Sequence, residues 1–174
     1  MAVLTQFDSQ LWQWCDMSYA QNKALCLELQ NSCQVNVNLL LLAQYLDITM
    51  DVSGPQQYST DQWQTLMNAV GEWDERFLMP YRKLRKLAKS SLNEQEYQQM
   101  LAVELMMERK AQRTILNKLN ELSPSGQATN LVSYLSLFGL SDIDANEIGL
   151  IAPDLIQTNH VKSSTAKLAR AQSN

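Results

Sequence analysis

The chain has 174 residues, of which 45% are hydrophobic, and a formal net charge of −4. It contains only 5 Gly and 4 Pro but 27 Leu and 18 Gln. This composition favours helices and supplies too few turn residues for a β-sandwich or barrel, and three cysteines are too few for a disulfide scaffold. We therefore predict an all-α fold, an irregular bundle of five to seven helices with a flexible C-terminal tail.

Apolar residues recur at three- and four-residue spacing along most of the chain, which predicts a succession of helices. Asn36 can cap the second helix and either Ser59 or Thr60 the third, by accepting free backbone N–H groups, and Gly139 suits a left-handed position at a helix end. Residues 39–42 are apolar on nearly every face, so the other helices should surround the second one. The helices are expected over residues 9–33, 37–46, 60 to about 80, 81–89, 94–122 and 129–138, with one more short helix near 142–146.

Single residues decide where three of these helices begin or break. Asp8 or Ser9 is expected to cap the first helix. Pro80 lacks a backbone donor and clashes with the preceding turn, so we expect the third helix to kink or restart there. Ser91 and Glu94 have the spacing of a capping box, which predicts the start of the longest helix.

The chain length suggests one main domain with an appendage. We predict a helical bundle domain over residues 1–140, and a short helix with a mobile polar and basic tail over 141–174. The tail prediction depends on residues 159–174, which are small, polar and basic without apolar periodicity.

The charges are distributed unevenly along the chain. Residues 1–75 carry nine acids and one base, whereas residues 76–89 carry six bases and no acid. A basic segment in an acidic molecule either neutralises the protein's own carboxylates or binds an anionic ligand or partner.

Two carboxylates on the predicted long helix are the most informative candidate site residues. Glu104 and Glu108 stand four residues apart, in or beside a stripe expected to face the core, which includes Leu105. Burial of an unpaired carboxylate costs several kcal/mol, so we expect Arg82 and Arg85 of the basic helix to meet them. Two interpretations follow: a structural network of ion pairs, or a site for an anionic ligand built from the same four residues.

No catalytic or metal-binding motif is present, so we predict no catalytic residue, metal or cofactor and lean against an enzyme. The chain has one histidine, His160, which lies at the start of the predicted tail, a poor place for fixed geometry. Neither a phosphate-binding glycine loop nor a HExxH motif occurs.

We therefore predict a non-enzymatic protein–protein interaction module, which binds a protein partner or itself. The alternative is a small anionic-ligand-binding protein or enzyme that uses the Arg/Glu cluster. Core packing is the default expectation for the tryptophans, and a partner surface is the alternative for Trp12, which lies off the main apolar stripe of the first helix. Nucleic acid is not expected to bind, because the chain is acidic overall and neither a recognition helix nor interleaved aromatic residues accompany the cluster of basic residues at 82–89. Neither a signal peptide nor a membrane span is evident, so we expect a cytoplasmic protein.

Several stretches together resemble a family of short, uncharacterised proteobacterial proteins, a domain of unknown function. The likeness covers about residues 8–120, including Val-Asn-Leu-Leu-Leu at 37–41, Pro-Tyr-Arg-Lys-Leu-Arg-Lys-Leu at 80–87 and Glu-Leu-Met-Met-Glu-Arg at 104–109. The resemblance implies a bacterial, cytosolic, helical protein and supplies no activity, cofactor or catalytic residue. Where the family usually has Gly before the 37–41 stretch, this chain has Ser32-Cys33-Gln34. A glycine turn between the first two helices is therefore not expected.

Overall fold

The structure, a computed structural model, describes residues 7–51 and 54–153 of the chain. Seven α-helices in this part confirm the predicted all-α bundle. The tail predicted over 159–174 lies outside the described residues, and the division of the chain at residue 140 stays a prediction. The helices are α1 (Leu11–Cys33), α2 (Val37–Ile48), α3 (Thr60–Trp73), α4 (Met79–Ala88), α5 (Glu94–Glu121), α6 (Asn130–Leu135) and α7 (Asp142–Glu147).

Short irregular elements connect these helices. Two-residue strands, β1 (Met50–Asp51) and β2 (Gly54–Pro55), pair antiparallel between α2 and α3. A π-helical segment, Asp74–Leu78, joins α3 to α4, and a 3-10 turn, Lys89–Ser91, leads to α5. A second 3-10 turn closes α6 and ends at Gly139 with a φ of 74°, the left-handed conformation predicted there.

The α2 helix lies at the centre of the core, as its uniformly apolar residues predict. All four leucines of residues 39–42 are at most 3% exposed, and α1 and α6 pack against this helix. Trp63 of α3 and Tyr134 of α6 are both fully buried, with ring centroids 5.3 Å apart. The two rings connect α3 and α6 within the core.

The first helix differs from the prediction at its start and in its middle. It begins at Leu11, and its N-cap is Gln10 without a side-chain cap hydrogen bond, so the cap predicted at Asp8 or Ser9 is wrong; the side chain of Asp8 accepts from the N–H of Gln10 instead. The helix is kinked at Asn22, which has φ −117° and ψ 19°. The side-chain amide of Asn22 accepts a hydrogen bond from the N–H of Ile151 and donates one to its C=O. Trp12 is only 3% exposed and belongs to the core, which confirms the default expectation and excludes the alternative of a partner surface.

The long helix is capped by a different pair of residues from the predicted one. Asn93 and Glu96 form the capping box of α5, whereas Ser91 lies in the preceding 3-10 turn. Leu105 was expected on the core side but is 50% exposed, because the neighbouring Glu104 takes the inward position. A carboxylate therefore occupies a place where the apolar pattern predicts a leucine.

The turn between α1 and α2 is left-handed although it contains no glycine. Gln34 takes φ 59° and ψ 30°, a conformation that costs an L-residue about 1 kcal/mol. Asn36 then caps α2 as predicted, with its side-chain oxygen 3.2 Å from the N–H of Leu39. The chain thus makes the turn with a residue that is poorly suited to it.

The junction of α3 and α4 shows the restart that Pro80 predicts, in the form of a π-helical segment. Ser59 caps α3 as expected, and the regular helix continues to Trp73. Pro80 lies in the first turn of α4, directly after the π-helical segment, and Leu78 and Met79 before it keep right-handed helical conformation. Within the described residues, no helix is both long and apolar enough to cross a membrane.

Candidate functional site

The inner face of α4 is attached to α5 by polar and ionic contacts. No residue of α4 is fully buried. The hydroxyl of Tyr81 donates to the C=O of Met100 at 2.9 Å, and the two arginines on the same face reach the carboxylates of α5. α4 therefore packs without the apolar stripe that usually fixes a surface helix.

Glu104 is the centre of this ionic contact. Its side chain is 11% exposed and pairs with the guanidinium of Arg85, which is 15% exposed. The Nε of Arg82 lies 3.4 Å from the same carboxylate. Arg85 also donates from Nη1 to the hydroxyl of Tyr97 at 3.0 Å, and the hydrogen bond to Glu104 raises the pKa of Arg85.

Glu108 lies one turn further along α5 and pairs with Arg82. The Nη2 of Arg82 is 2.8 Å from Oε1 of Glu108, and both side chains are about one-third exposed. The four residues predicted from the sequence are therefore brought together as ion pairs. Arg85 and Glu104 face each other, whereas Arg82 and Glu108 also reach an adjoining cavity.

The cavity has a volume of about 520 Å³ and lies between α1, α2, α3, the π-helical segment, α4 and α5. Such a volume is typical of small-molecule pockets. Its walls combine apolar side chains with a few polar ones. The polar and reactive groups include Cys15, Asn36, Asp74, Arg82, Glu108 and Gln112.

Asp74 is the residue of this cavity that the sequence interpretation missed. Its Oδ2 accepts a hydrogen bond from the Nδ2 of Asn36 at 2.7 Å, whereas Oδ1 is buried without a hydrogen-bond partner among the described residues. Burial raises the pKa of Asp74 to about 6, against the opposing effects of Arg82 and Asn36. A signal was present, because Asp74 follows Val70 by four residues on the buried stripe of α3.

The backbone of Asn36 is held in place by Tyr134, whereas its side chain is the group that binds Asp74. The hydroxyl of Tyr134 accepts from the N–H of Asn36 at 3.0 Å and donates to its C=O at 3.1 Å. The π-helical segment begins at Asp74, and such segments are frequent at functional sites. Rigid neighbours on α2 and α6 therefore position this carboxylate.

The chemistry available in the cavity is that of charge and hydrogen bonding. Cys15 lines it, but burial raises the pKa of this thiol, so the nucleophilic thiolate is suppressed. Across residues 7–51 and 54–153, no group of three or more His, Cys, Asp or Glu is arranged to hold a metal ion. His160 lies outside the described residues.

The face of α4 that points away from α5, its outer face, is a second candidate functional surface. We define it by Lys83, Leu84, Lys86 and Leu87, all of which are exposed. Leu84 is 57% exposed and Leu87 is 80% exposed. Two exposed leucines among lysines thus form an amphipathic, basic surface on α4, whose opposite face contacts α5.

Comparisons with known proteins give a family and no activity. Neither a curated protein nor a solved structure is detectably similar to the chain. The sequence profile of DUF2390, described as a protein of unknown function, matches residues 10–115. This match extends from the start of α1 through most of α5 and includes both the ionic contact and the cavity. The chain belongs to the DUF2390 family.

Proposed function

We propose that this chain is a protein-interaction module that docks a partner on the outer face of α4. The observation that carries the proposal is the exposure of Leu84 and Leu87, at 57% and 80%. Folding gains little from side chains left in water, and burial of each leucine by a partner would contribute roughly 1.5–3 kcal/mol. The ion pairs of Arg82 and Arg85 hold the helix so that these leucines point away from α5.

The partner that fits this surface is a protein segment with acidic and apolar residues at helical spacing. Lys83 and Lys86 flank the two leucines, so acidic side chains on the partner would complement the positive charge. Helices that pack into such surfaces present apolar residues at positions i, i+3 and i+4. We expect binding to weaken as salt is added, because the lysines are exposed.

A different protein suits this face better than a second copy of the chain. Two copies meeting through α4 would place lysines against lysines. Contact between α4 of one copy and the acidic N-terminal half of another is heterologous, and it forms filaments unless the rotation happens to close a ring. Self-association is therefore an outcome that the test must separate from partner binding.

The test is site-specific cross-linking in cells that naturally make this chain. A photo-reactive amino acid replaces Leu87, and a matched control carries it at Gln64, an exposed position on α3. We expect a discrete adduct from position 87 only, and it should disappear in the Lys83→Glu/Lys86→Glu background. Mass spectrometry of the adduct should map the cross-link to an acidic segment of another protein.

Other results would reject the proposal. These are no adduct from position 87, an adduct that survives charge reversal, or an adduct with a second copy of the chain. Binding of the purified protein to anionic lipid vesicles or to RNA, abolished by the same charge reversal, would assign the face to a different class of partner.

A second candidate function is the binding of a small anionic ligand by Arg82, Arg85, Glu104 and Glu108. It is favoured by the position of Arg82, which reaches the cavity while its partner Glu108 is one-third exposed. A panel of anionic metabolites should then raise the melting temperature, and Arg82→Gln should abolish the effect. A bacterial origin and a cytoplasmic location are part of both proposals and come from the sequence resemblance.

A further inference from the structure

We propose that the partner of this chain is an acidic, amphipathic helix of another protein, and that it lies across the line where α4 meets α5. The inference rests on the proposed function and refines it, because it adds α5 to the docking surface. The additional surface, which we call the seam, consists of Phe77 from the π-helical segment and of Val103 and Met106 from α5, all of them exposed. Leu84 of the outer face borders the seam, so the two surfaces are continuous.

Two hydrogen bonds show which edges of the helices meet at the seam. The Nε1 of Trp73 donates to the C=O of Met107 at 3.1 Å, and the hydroxyl of Tyr81 donates to the C=O of Met100 at 2.9 Å. Phe77 lies four residues from each of these two aromatic residues, and its ring centroid is 5.0 Å from that of Trp73. Because residues four apart share one side of a helix, Phe77 lies along α5 between the two contacts.

The exposed side chains of α5 lie on the same edge. Val103 follows Met100 by three residues and precedes Met107 by four, so it lies between the two carbonyls that the aromatic side chains contact. Met106 lies one turn after Val103 on that edge. On α4, Leu84 lies one turn beyond the tyrosine and so stands where the outer face meets the seam.

The outer face of α4 is too small to bind a partner by itself. A specific protein–protein interface buries about 800 Å² on each partner and involves roughly 20–30 residues. The whole of α4 has 10 residues, and only part of them point outward. The seam adds three large apolar side chains that are between 41% and 55% exposed. A partner that covers the seam as well as the outer face therefore contacts two helices and approaches the extent that a stable complex needs.

The geometry of the seam suits a helix. The π-helical segment and α4 run antiparallel to α5, since successive aromatic contacts fall at Met107 and then at Met100. Two helices packed side by side leave a depression into which the side-chain ridges of a third helix fit. From Phe77 to Leu84 the surface extends over seven residues, or about 10 Å. A partner helix covers this length with apolar residues at positions i, i+3 or i+4, and i+7.

The charges around the seam select an acidic partner. Lys83 precedes Leu84, and the Nζ of Lys110 is 4.9 Å from the ring centroid of Trp73. Among the described residues, neither lysine takes part in an ion pair. The acids on neighbouring turns are engaged within the chain or face the cavity, namely Glu72 with Arg76, Glu96 with the N–H of Asn93, and Glu75 at the cavity wall. The positive charge is therefore left for acidic side chains that flank the apolar stripe of the partner.

The test adds α5 to the cross-linking experiment. In cells that naturally make the chain, the photo-reactive amino acid replaces Met106 in one strain and Leu87 in another, with no further substitution in either. We expect adducts of the same partner from both positions, and mass spectrometry should map both cross-links to one amphipathic, acidic helix. If position 87 gives such an adduct and position 106 gives none, the inference is overturned while the proposed function stands.

A new carboxylate on α5 tests the seam in a second way. Met106→Glu should lower the yield of the adduct from position 87 by about fivefold or more, because it repels the acidic partner and removes an apolar contact. Leu105→Glu is the matched control, since Leu105 is 50% exposed against 55% for Met106 but lies beside Glu108, on the edge of α5 that meets Arg82. It should leave the yield within about twofold. Thermal melting of both variants checks that they fold.

The remaining outcomes are equally decisive. An unchanged yield in Met106→Glu, an equal loss in Leu105→Glu, or an adduct of position 106 with a second copy of the chain overturns the inference. Failure of both positions 87 and 106 to give an adduct rejects the proposed function and the inference with it. The cross-link at position 106 is made without a glutamate substitution, so it decides the matter even where a variant folds poorly.

Discussion

Ionisation of Asp74 costs free energy in the folded protein, and its neighbours offset this cost only in part. Burial raises its pKa to about 6, although Arg82 and the hydrogen bond from Asn36 act in the opposite direction. In the unfolded chain the pKa of an aspartate is about 3.9. The folded state therefore binds the proton of Asp74 more tightly than the unfolded state does, and ionisation of this residue destabilises the fold.

This difference predicts how stability depends on pH. The destabilisation by Asp74 is absent below about pH 4, grows as the pH rises toward 6 and is complete above it. At pH 7.5 we expect Asp74→Asn to be more stable than the unmodified chain by about 2 kcal/mol, and at pH 4 to differ by less than about 0.5 kcal/mol. Urea unfolding at the two pH values measures both.

The comparison must be made between variant and unmodified chain at each pH, because burial also raises the pKa of Asp47. That contribution is common to the two proteins and cancels. Equal stability of the two proteins at pH 7.5 would show that Asp74 is not destabilising when ionised.

Gln34 gives a second residue-scale prediction. It holds a left-handed conformation, φ 59° and ψ 30°, in which glycine is unstrained. We expect Gln34→Gly to raise the free energy of unfolding by about 0.5–1 kcal/mol, as measured by urea unfolding. Gln30→Gly is the matched control inside α1 and should lower it by about 1 kcal/mol. A loss of stability in both variants would contradict this account of the turn.

At the scale of elements, one carboxylate joins α4 to α5. Glu104 and Arg85 are 11% and 15% exposed, so removal of the negative charge leaves a nearly buried guanidinium without its main partner. We expect Glu104→Gln to lower the free energy of unfolding by about 3 kcal/mol. Chemical denaturation measures the loss. The control is Glu72→Gln, since the Glu72 side chain is 73% exposed, and it should lower the free energy of unfolding by less than about 0.5 kcal/mol.

Joint replacement of the pair separates its charge from its packing. Arg85→Met/Glu104→Leu should recover most of the stability that Glu104→Gln loses, since apolar residues of similar size often replace a buried ion pair without cost. Recovery of none of it would mean that the hydrogen bond of Arg85 to Tyr97, at 3.0 Å, carries much of the attachment.

The sequence predicts some helix ends and misses others for physical reasons. The sequence predicts the N-caps Asn36 and Ser59 and the left-handed helix end at Gly139, because a cap or a left-handed turn depends only on neighbouring residues. The start of α5 at Glu94 is predicted correctly, but its capping box is not, because Ser91/Glu94 and Asn93/Glu96 both have the spacing and Ser91 lies in the 3-10 turn. The π-helical segment was expected only as a break at Pro80, because no residue type is specific for it.

The candidate site was predictable in part for the same kind of reason. Adjacent charges on two helices predict the ion pairs of Glu104 and Glu108 with the arginines, since unpaired burial is too costly. Asp74 was missed because it is an acid on an apolar stripe, and only the folded chain shows that α2 brings Asn36 to it. A cavity formed by six elements has no local signature.

At the scale of the whole molecule, the charge asymmetry seen in the sequence is only partly resolved within the fold. Arg82 and Arg85 neutralise carboxylates of α5, whereas Lys83 and Lys86 remain on the outer face of α4 with Leu84 and Leu87. The two faces of this helix thus have different roles in our account. The inner face holds the helix on the bundle, and the outer face is left for a partner.

The stability of Leu84→Ser/Leu87→Ser tests this separation most directly. If the outer face contributes nothing to folding, the double variant should unfold in urea within about 0.5 kcal/mol of the unmodified chain, even though it removes two large apolar side chains. A loss of 2 kcal/mol or more would mean that the leucines pack within the protein, and it would contradict the assignment of this face to a partner.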